Sequence, residues 1–241
     1  MKTLILPEEE AASAVAGLLA EKLQADPEAL IALPAGRTPE MLYRELVRRY
    51  EAGEMHFSRA RFLLLTEFDP MDENDPRSCR RSLKERFFEK VNADPERCIF
   101  PSAENISTLD RQIEELGGID LAVLGIGQNG HFAYNEPTTQ FDAPSHRQKL
   151  SPGTQRSLRV RFGENADIPE FAFTVGIRTI VSAKTIAVMA FGKEKAGPVF
   201  KMLYARDDSL VPAAFLQIPR DVQVYIDEAA ASEIQKKDGN T

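Results

Sequence analysis

Short apolar runs recur along this chain, each separated from the next by a stretch with helical patterning. Leu30-Ile31-Ala32-Leu33, Phe62-Leu63-Leu64-Leu65 and residues 119–124 are the clearest. Runs this short, with no polar alternation, read as strands covered on both sides. Leu4-Ile5-Leu6 and residues 97–100, 171–175, 185–191 and 222–226 read as further strands, and the third strand is expected to span 61–66. Segments 8–22, 39–50, 82–91, 108–116 and 194–204 read as helices, with Pro39 suited to a first turn and Gly117-Gly118 to a stop. Strands alternating with helices form crossover units, and crossover units build a parallel sheet. The expected fold is α/β: a single-domain, Rossmann-like, open and mostly parallel sheet with helices on both faces. One domain is expected to take in residues 1–241, with the tail after about residue 231 mobile. The widest irregular stretch, 128–167, is polar and suits a functional loop or lid.

Charge and cysteine usage narrow the partners. Asp and Glu number 37 against 30 Lys and Arg, a net charge of −7. That excess opposes nonspecific nucleic-acid binding, which depends on cations neutralising phosphates. It does not oppose a small anionic ligand held by a few local cations. No apolar run approaches the roughly 18–20 residues of a membrane span. The start of the chain turns acidic at Glu8-Glu9-Glu10, unlike a signal peptide. Cys79 and Cys98 are the only cysteines and have no disulfide or metal spacing, so a reducing, cytoplasmic location is expected. His56 and His146 lack partners at ligand spacing, and neither a metal nor a cofactor is expected.

In open α/β sheets, ligands bind beyond the carboxyl ends of strands. Leu33-Pro34-Ala35-Gly36-Arg37-Thr38-Pro39 joins a strand to a helix there. Gly36 lets the backbone approach a ligand, Thr38 can cap the helix, and Arg37 adds charge, a combination suited to phosphate. The same residues also make an ordinary tight turn. Gly125-Ile126-Gly127-Gln128-Asn129-Gly130-His131 follows the strand at 119–124, and Asn135-Glu136-Pro137 lies just beyond. His131 is suited to proton transfer near neutral pH, with Glu136 close enough in sequence to orient it. The glycine spacing matches a dinucleotide fingerprint, but no clean helix follows it, so nicotinamide binding is not expected. Lys195, at the start of the 194–204 segment, is poorly placed against a helix dipole, which suits a phosphate contact better than a solvated cation.

These segments together resemble the glucosamine-6-phosphate deaminase/isomerase family, whose relatives include galactosamine-6-phosphate deaminases and 6-phosphogluconolactonases. The most specific part is residues 124–137, and the Asn-Glu-Pro ending resembles the deaminases. The resemblance implies a sugar-phosphate substrate, with a hexosamine 6-phosphate converted to a ketose 6-phosphate and ammonia. It assigns ring opening to His131, orientation of that histidine to Glu136, and phosphate binding to Gly36, Arg37, Thr38, Lys195 and one of Arg159 and Arg161. Two positions depart from the pattern. Thr66 stands where the family has an aspartate base, leaving Glu67 or Asp69 to replace it, and Asn129 stands where glucosamine enzymes usually have aspartate. Lactone hydrolysis and non-catalytic sugar-phosphate binding are the alternatives. The resemblance allows a homo-oligomer, and the short sequence after the last strand suits a small, unregulated form.

Overall fold

The pleat of each apolar run sorts its side chains to two sides. In a computed structural model that describes residues 1–205 and 210–238, Ile31 and Leu33 join one buried cluster, while Leu30 and Ala32 join another. Phe62 and Leu64 lie with the first, Leu63 and Leu65 with the second. Leu121 and Val123 divide from Ala122 and Leu124 in the same way. Period two thus places an apolar side chain on both faces of the sheet.

The strands are β1 (Lys2–Ile5), β2 (Leu30–Leu33), β3 (Arg61–Leu64), β4 (Thr66–Asp69), β5 (Cys98–Ile99), β6 (Leu121–Gly125), β7 (His146–Lys149), β8 (Phe171–Thr174), β9 (Thr185–Ala190) and β10 (Val222–Ile226). Among the described residues, seven of them form a sheet in the order β1-β10-β9-β6-β2-β3-β5, parallel throughout. The helices are α1 (Glu8–Ala25), α2 (Glu40–Glu51), α3 (Cys79–Arg86), α4 (Leu109–Glu115), α5 (Pro152–Phe162), α6 (Ile177–Val181), α7 (Ala196–Tyr204) and α8 (Glu228–Asp238). Buried residues of α1, α2 and α3 cover one face; those of α4, α6, α7 and α8 cover the other. The parallel sheet with helices on both faces is the expected architecture. No helix among the described residues is long and apolar enough to cross a membrane.

Three features differ from the sequence reading. The run at 61–66 is not one strand. Leu65 donates its N–H to the Leu33 carbonyl at 3.1 Å, and its own carbonyl accepts the Val175 N–H at 3.0 Å. It therefore belongs to both sheets, and beyond it the chain enters a separate antiparallel sheet, β4-β8-β7. Burial on both sides kept the sequence apolar across that corner. The irregular stretch 128–167 contains β7 and α5; α5 buries only Thr154 and Leu158, too little to leave an amphipathic pattern. The sequence reading gave no helix after β10. Instead α8 runs to Asp238, with Ala230, Ala231 and Ile234 buried against the second cluster. Residues 239–241 lie outside the described residues.

Candidate active site

β2 leads outward through α2 to β3, whereas β6 leads the other way toward β9, so the strand order reverses between β2 and β6. A cavity of about 850 Å³ opens there, beyond the carboxyl ends of both strands. The two loops at this switch meet closely: a Cβ built on Gly125 would lie 3.7 Å from the Thr38 hydroxyl oxygen. The cavity is lined from four sides by the 34–38 turn, the 125–134 loop, one face of α5, and the Glu194-Lys195 turn.

At one end stands His131. A Cβ on Gly127 would fall 2.4 Å from the imidazole Cε1, so only glycine leaves room for the ring. The Gly127 N–H also donates to the His131 carbonyl at 2.8 Å, closing the loop around its own histidine. Behind the ring, Glu136 is 3% exposed, with Oε2 3.7 Å from His131 Nδ1. The Asn129 amide donates to Glu136 Oε2 at 2.6 Å, and the Ser151 N–H donates to Oε1 at 3.2 Å. Asn129 Oδ1 accepts the His131 N–H at 3.2 Å. Asn129 thus ties the histidine backbone to the carboxylate. Burial works to raise the Glu136 pKa, but His131, the Thr154 hydroxyl and the Ser151 N–H together hold it down at about 2. This carboxylate is ionised throughout the range in which an imidazole titrates.

Cations gather on the remaining walls. Lys195 Nζ donates to the Ile126 carbonyl at 2.7 Å, and burial lowers its pKa. Lys195 sits in a short 3-10 turn, Lys193–Lys195, ahead of α7 rather than inside the helix. Arg37 and Arg161 also line the cavity, as do Gly36 and Thr38. Of the two arginines between which the sequence did not choose, Arg159 is exposed and does not line the cavity. Arg156 does line it, at i+5 before Arg161 on the same helix.

The remaining candidates separate. Thr66 is 6% exposed and lines the cavity; Glu67 and Asp69 do not line it. Glu67 accepts hydrogen bonds from the Ser78 hydroxyl at 2.9 Å, the Cys79 N–H at 3.0 Å and the Arg80 N–H at 2.8 Å. It anchors the start of α3. Asp69 instead pairs with Arg147 Nε at 2.5 Å. The expectation that one of them replaces the base at Thr66 therefore fails on direction: β4 alternates, and its two carboxylates point away from the side that Thr66 presents. Around Thr66 the wall is completed by Cys79 and Tyr134, both with pKa values raised by burial. That wall is uncharged near neutral pH.

Sequence reasoning missed Ser151, Thr154, Arg156, Cys79 and Tyr134. For the first three a signal existed. Ser151 followed by Pro152 is an N-cap with proline at the first helical position, and the Ser151 hydroxyl does accept the Thr154 N–H.

A family profile for glucosamine-6-phosphate isomerases/6-phosphogluconolactonase matches residues 7–226. A glucosamine-6-phosphate deaminase of Clostridium botulinum strain Hall is 34% identical over 235 residues, covering 95% of this chain and 96% of that protein. The solved structure of a monomeric glucosamine-6-phosphate deaminase aligns with a TM-score of 0.93 at 32% identity, covering 97% of this chain and 100% of the other. A 6-phosphogluconolactonase from Leishmania guyanensis shares the fold, with a TM-score of 0.75 at 19% identity over 97% of this chain and 98% of the other. A profile that spans the parallel sheet from α1 to β10 and takes in both loops of the cavity leaves one conclusion: this chain belongs to the glucosamine-6-phosphate isomerase/6-phosphogluconolactonase family.

Proposed function

We propose that this chain is an amino-sugar-phosphate deaminase/isomerase, acting on a hexosamine 6-phosphate with glucosamine 6-phosphate as first candidate. One observation carries the reading: a half-buried histidine backed by a buried carboxylate shares a single sugar-sized cavity with a set of cations. The phosphate lies against the Gly36–Thr38 turn with Lys195, Arg37 and Arg161. His131 moves the anomeric hydroxyl proton to the ring oxygen, opening the sugar. A proton then passes from C2 to C1, and water replaces the nitrogen, which leaves as ammonia. With Glu67 and Asp69 turned away, His131 is the lining group suited to carry that second proton as well. Two thiols without disulfide or metal spacing fit a cytoplasmic location, and the monomeric relative favours a monomer over a homo-oligomer.

The uncharged wall at Thr66 favours a second reading, hydrolysis of a 6-phosphosugar lactone. That reaction asks His131 only to activate water and needs no base at C2.

Ammonia release from glucosamine and galactosamine 6-phosphates, run beside 6-phosphogluconolactone hydrolysis, tests both. Ammonia from the wild type supports deamination. Hydrolysis above the spontaneous rate without ammonia supports the second reading. Ammonia from Thr66→Asp alone places the native reaction elsewhere on an intact scaffold. Saturable binding without turnover leaves a sugar-phosphate binder.

A further inference from the structure

We propose that Arg86 and Tyr43 are positioning residues for the phosphate: each holds one carbonyl of the 34–38 turn from behind, so that the amide on the far side of the same peptide unit faces the cavity. The Arg86 guanidinium donates through Nη1 to the Gly36 carbonyl at 3.2 Å, and the Tyr43 hydroxyl donates to the Pro34 carbonyl. Neither residue lines the cavity, although the whole turn from Pro34 to Thr38 does. Both carbonyls therefore point away from the ligand space. A trans peptide unit is planar, with its C=O and N–H antiparallel. Both units here are trans, so fixing the Pro34 carbonyl aims the Ala35 N–H toward the cavity, and fixing the Gly36 carbonyl aims the Arg37 N–H there. Among the described residues, nothing accepts the N–H of Ala35, Gly36, Arg37 or Thr38. Successive unpaired amides beside an arginine suit an anion.

The two braces share one support. Arg86 is the last residue of α3, and Phe87 follows as its C-cap. The fully buried Phe87 ring stacks on the Tyr43 ring, with centroids 5.8 Å apart and planes at 17°. Tyr43 itself is 1% exposed, so its hydroxyl cannot turn out to water. Arg86 lines a smaller cavity of about 360 Å³ on this side of the turn, beside Glu40 and Glu85. It forms no ion pair among the described residues, whereas Glu40 pairs with Arg44 and Glu85 with Arg81. The charge of Arg86 therefore falls on the Gly36 carbonyl. There it draws electron density through the peptide unit and makes the Arg37 N–H a stronger donor.

The proposal rests on the reading of this turn as the phosphate site, but its test uses inorganic phosphate and needs no turnover. Phosphate titrated into the wild type is expected to shift the backbone amide signals of Ala35 and Arg37 in proton–nitrogen NMR. Arg86→Met is expected to weaken phosphate binding about tenfold, the scale of one charge-assisted hydrogen bond, and Tyr43→Phe about threefold. Tyr43 carries no charge, so its variant separates bracing from simple attraction. For whichever sugar phosphate the wild type turns over, KM is expected to rise by similar factors, with kcat changed less than about twofold and Arg86→Lys recovering part of the loss. A folded variant of either residue that binds phosphate as the wild type does overturns the proposal. So does an Arg86→Met loss that vanishes at high salt, which leaves Arg86 a long-range charge alone. Turn amides that ignore phosphate overturn the proposal together with the phosphate reading of the turn. Responding amides without ammonia release count against deamination and leave the two braces standing.

Discussion

The chain leaves the carboxyl edge of the parallel sheet after β3 and again after β6, and it uses its carboxylates oppositely at the two exits. After β6, Glu136 folds back beneath His131, buried and ionised, and serves the cavity. After β3, Glu67 collects three donors at the start of α3 and Asp69 takes Arg147, so both serve the scaffold. The difference arises at Leu65, where the chain changes sheets and the pleat decides which side chain enters the cavity. Thr66 takes that side. A carboxylate at a strand end is therefore not a candidate acid or base until the pleat has been followed to its tip.

The largest effect expected from this contrast is catalytic. His131→Gln should cost about 10²- to 10⁴-fold in kcat, whereas Glu67→Gln should stay within about threefold. Comparable losses in the two variants would break the comparison. The next test uses pH. The folded pKa of Glu136 is depressed to about 2 from an ordinary 4.5, so its stabilisation is complete above about 4.5 and is lost as pH falls toward 2, on the order of 3 kcal/mol. Urea midpoints measured from pH 6 to pH 2 should show that slope in the wild type and a flatter one in Glu136→Gln. Glu67→Ala should destabilise by about 2 kcal/mol, because four donors, the Phe68 N–H among them, lose one shared carboxylate. Asp69→Ala, on a more exposed pair, should cost less than about 1 kcal/mol. Smallest is a difference in binding. Arg161→Gln should raise KM about tenfold, the scale of one charge-assisted hydrogen bond lost, while Arg159→Gln should leave it unchanged. Equal effects would sink the assignment of Arg161 to the phosphate.

What the sequence revealed depended on whether a segment carried its own burial pattern. β2, β6 and β9 are buried on both faces and were legible as nearly continuous apolar runs. The β4-β8-β7 sheet was not. Phe171–Thr174 has the composition of another parallel strand, and nothing local shows that its partners run antiparallel. In α8 only a few small or apolar side chains are buried, so its sequence carried no helical pattern. The site divided in the same way. His131, Asn129 and Glu136 fall within eight residues of one glycine-rich loop and could be grouped by eye. Ser151 and Thr154 lie 15 and 18 residues beyond Glu136, and only the turn of the chain through β7 brings them back to the histidine.

Lys195 carries a last consequence. Its ammonium already holds the Ile126 carbonyl at 2.7 Å in a partly buried setting, so a phosphate bound there as proposed would have to win an exchange against that dipole. A doubly ionised phosphate competes far better than a singly ionised one. Ligand affinity should therefore climb through the second phosphate ionisation, at about pH 6, even where every protein group at this end of the cavity keeps its charge. Under the proposed phosphate role of Lys195, this resting contact would act as a filter on the ionisation state of the ligand.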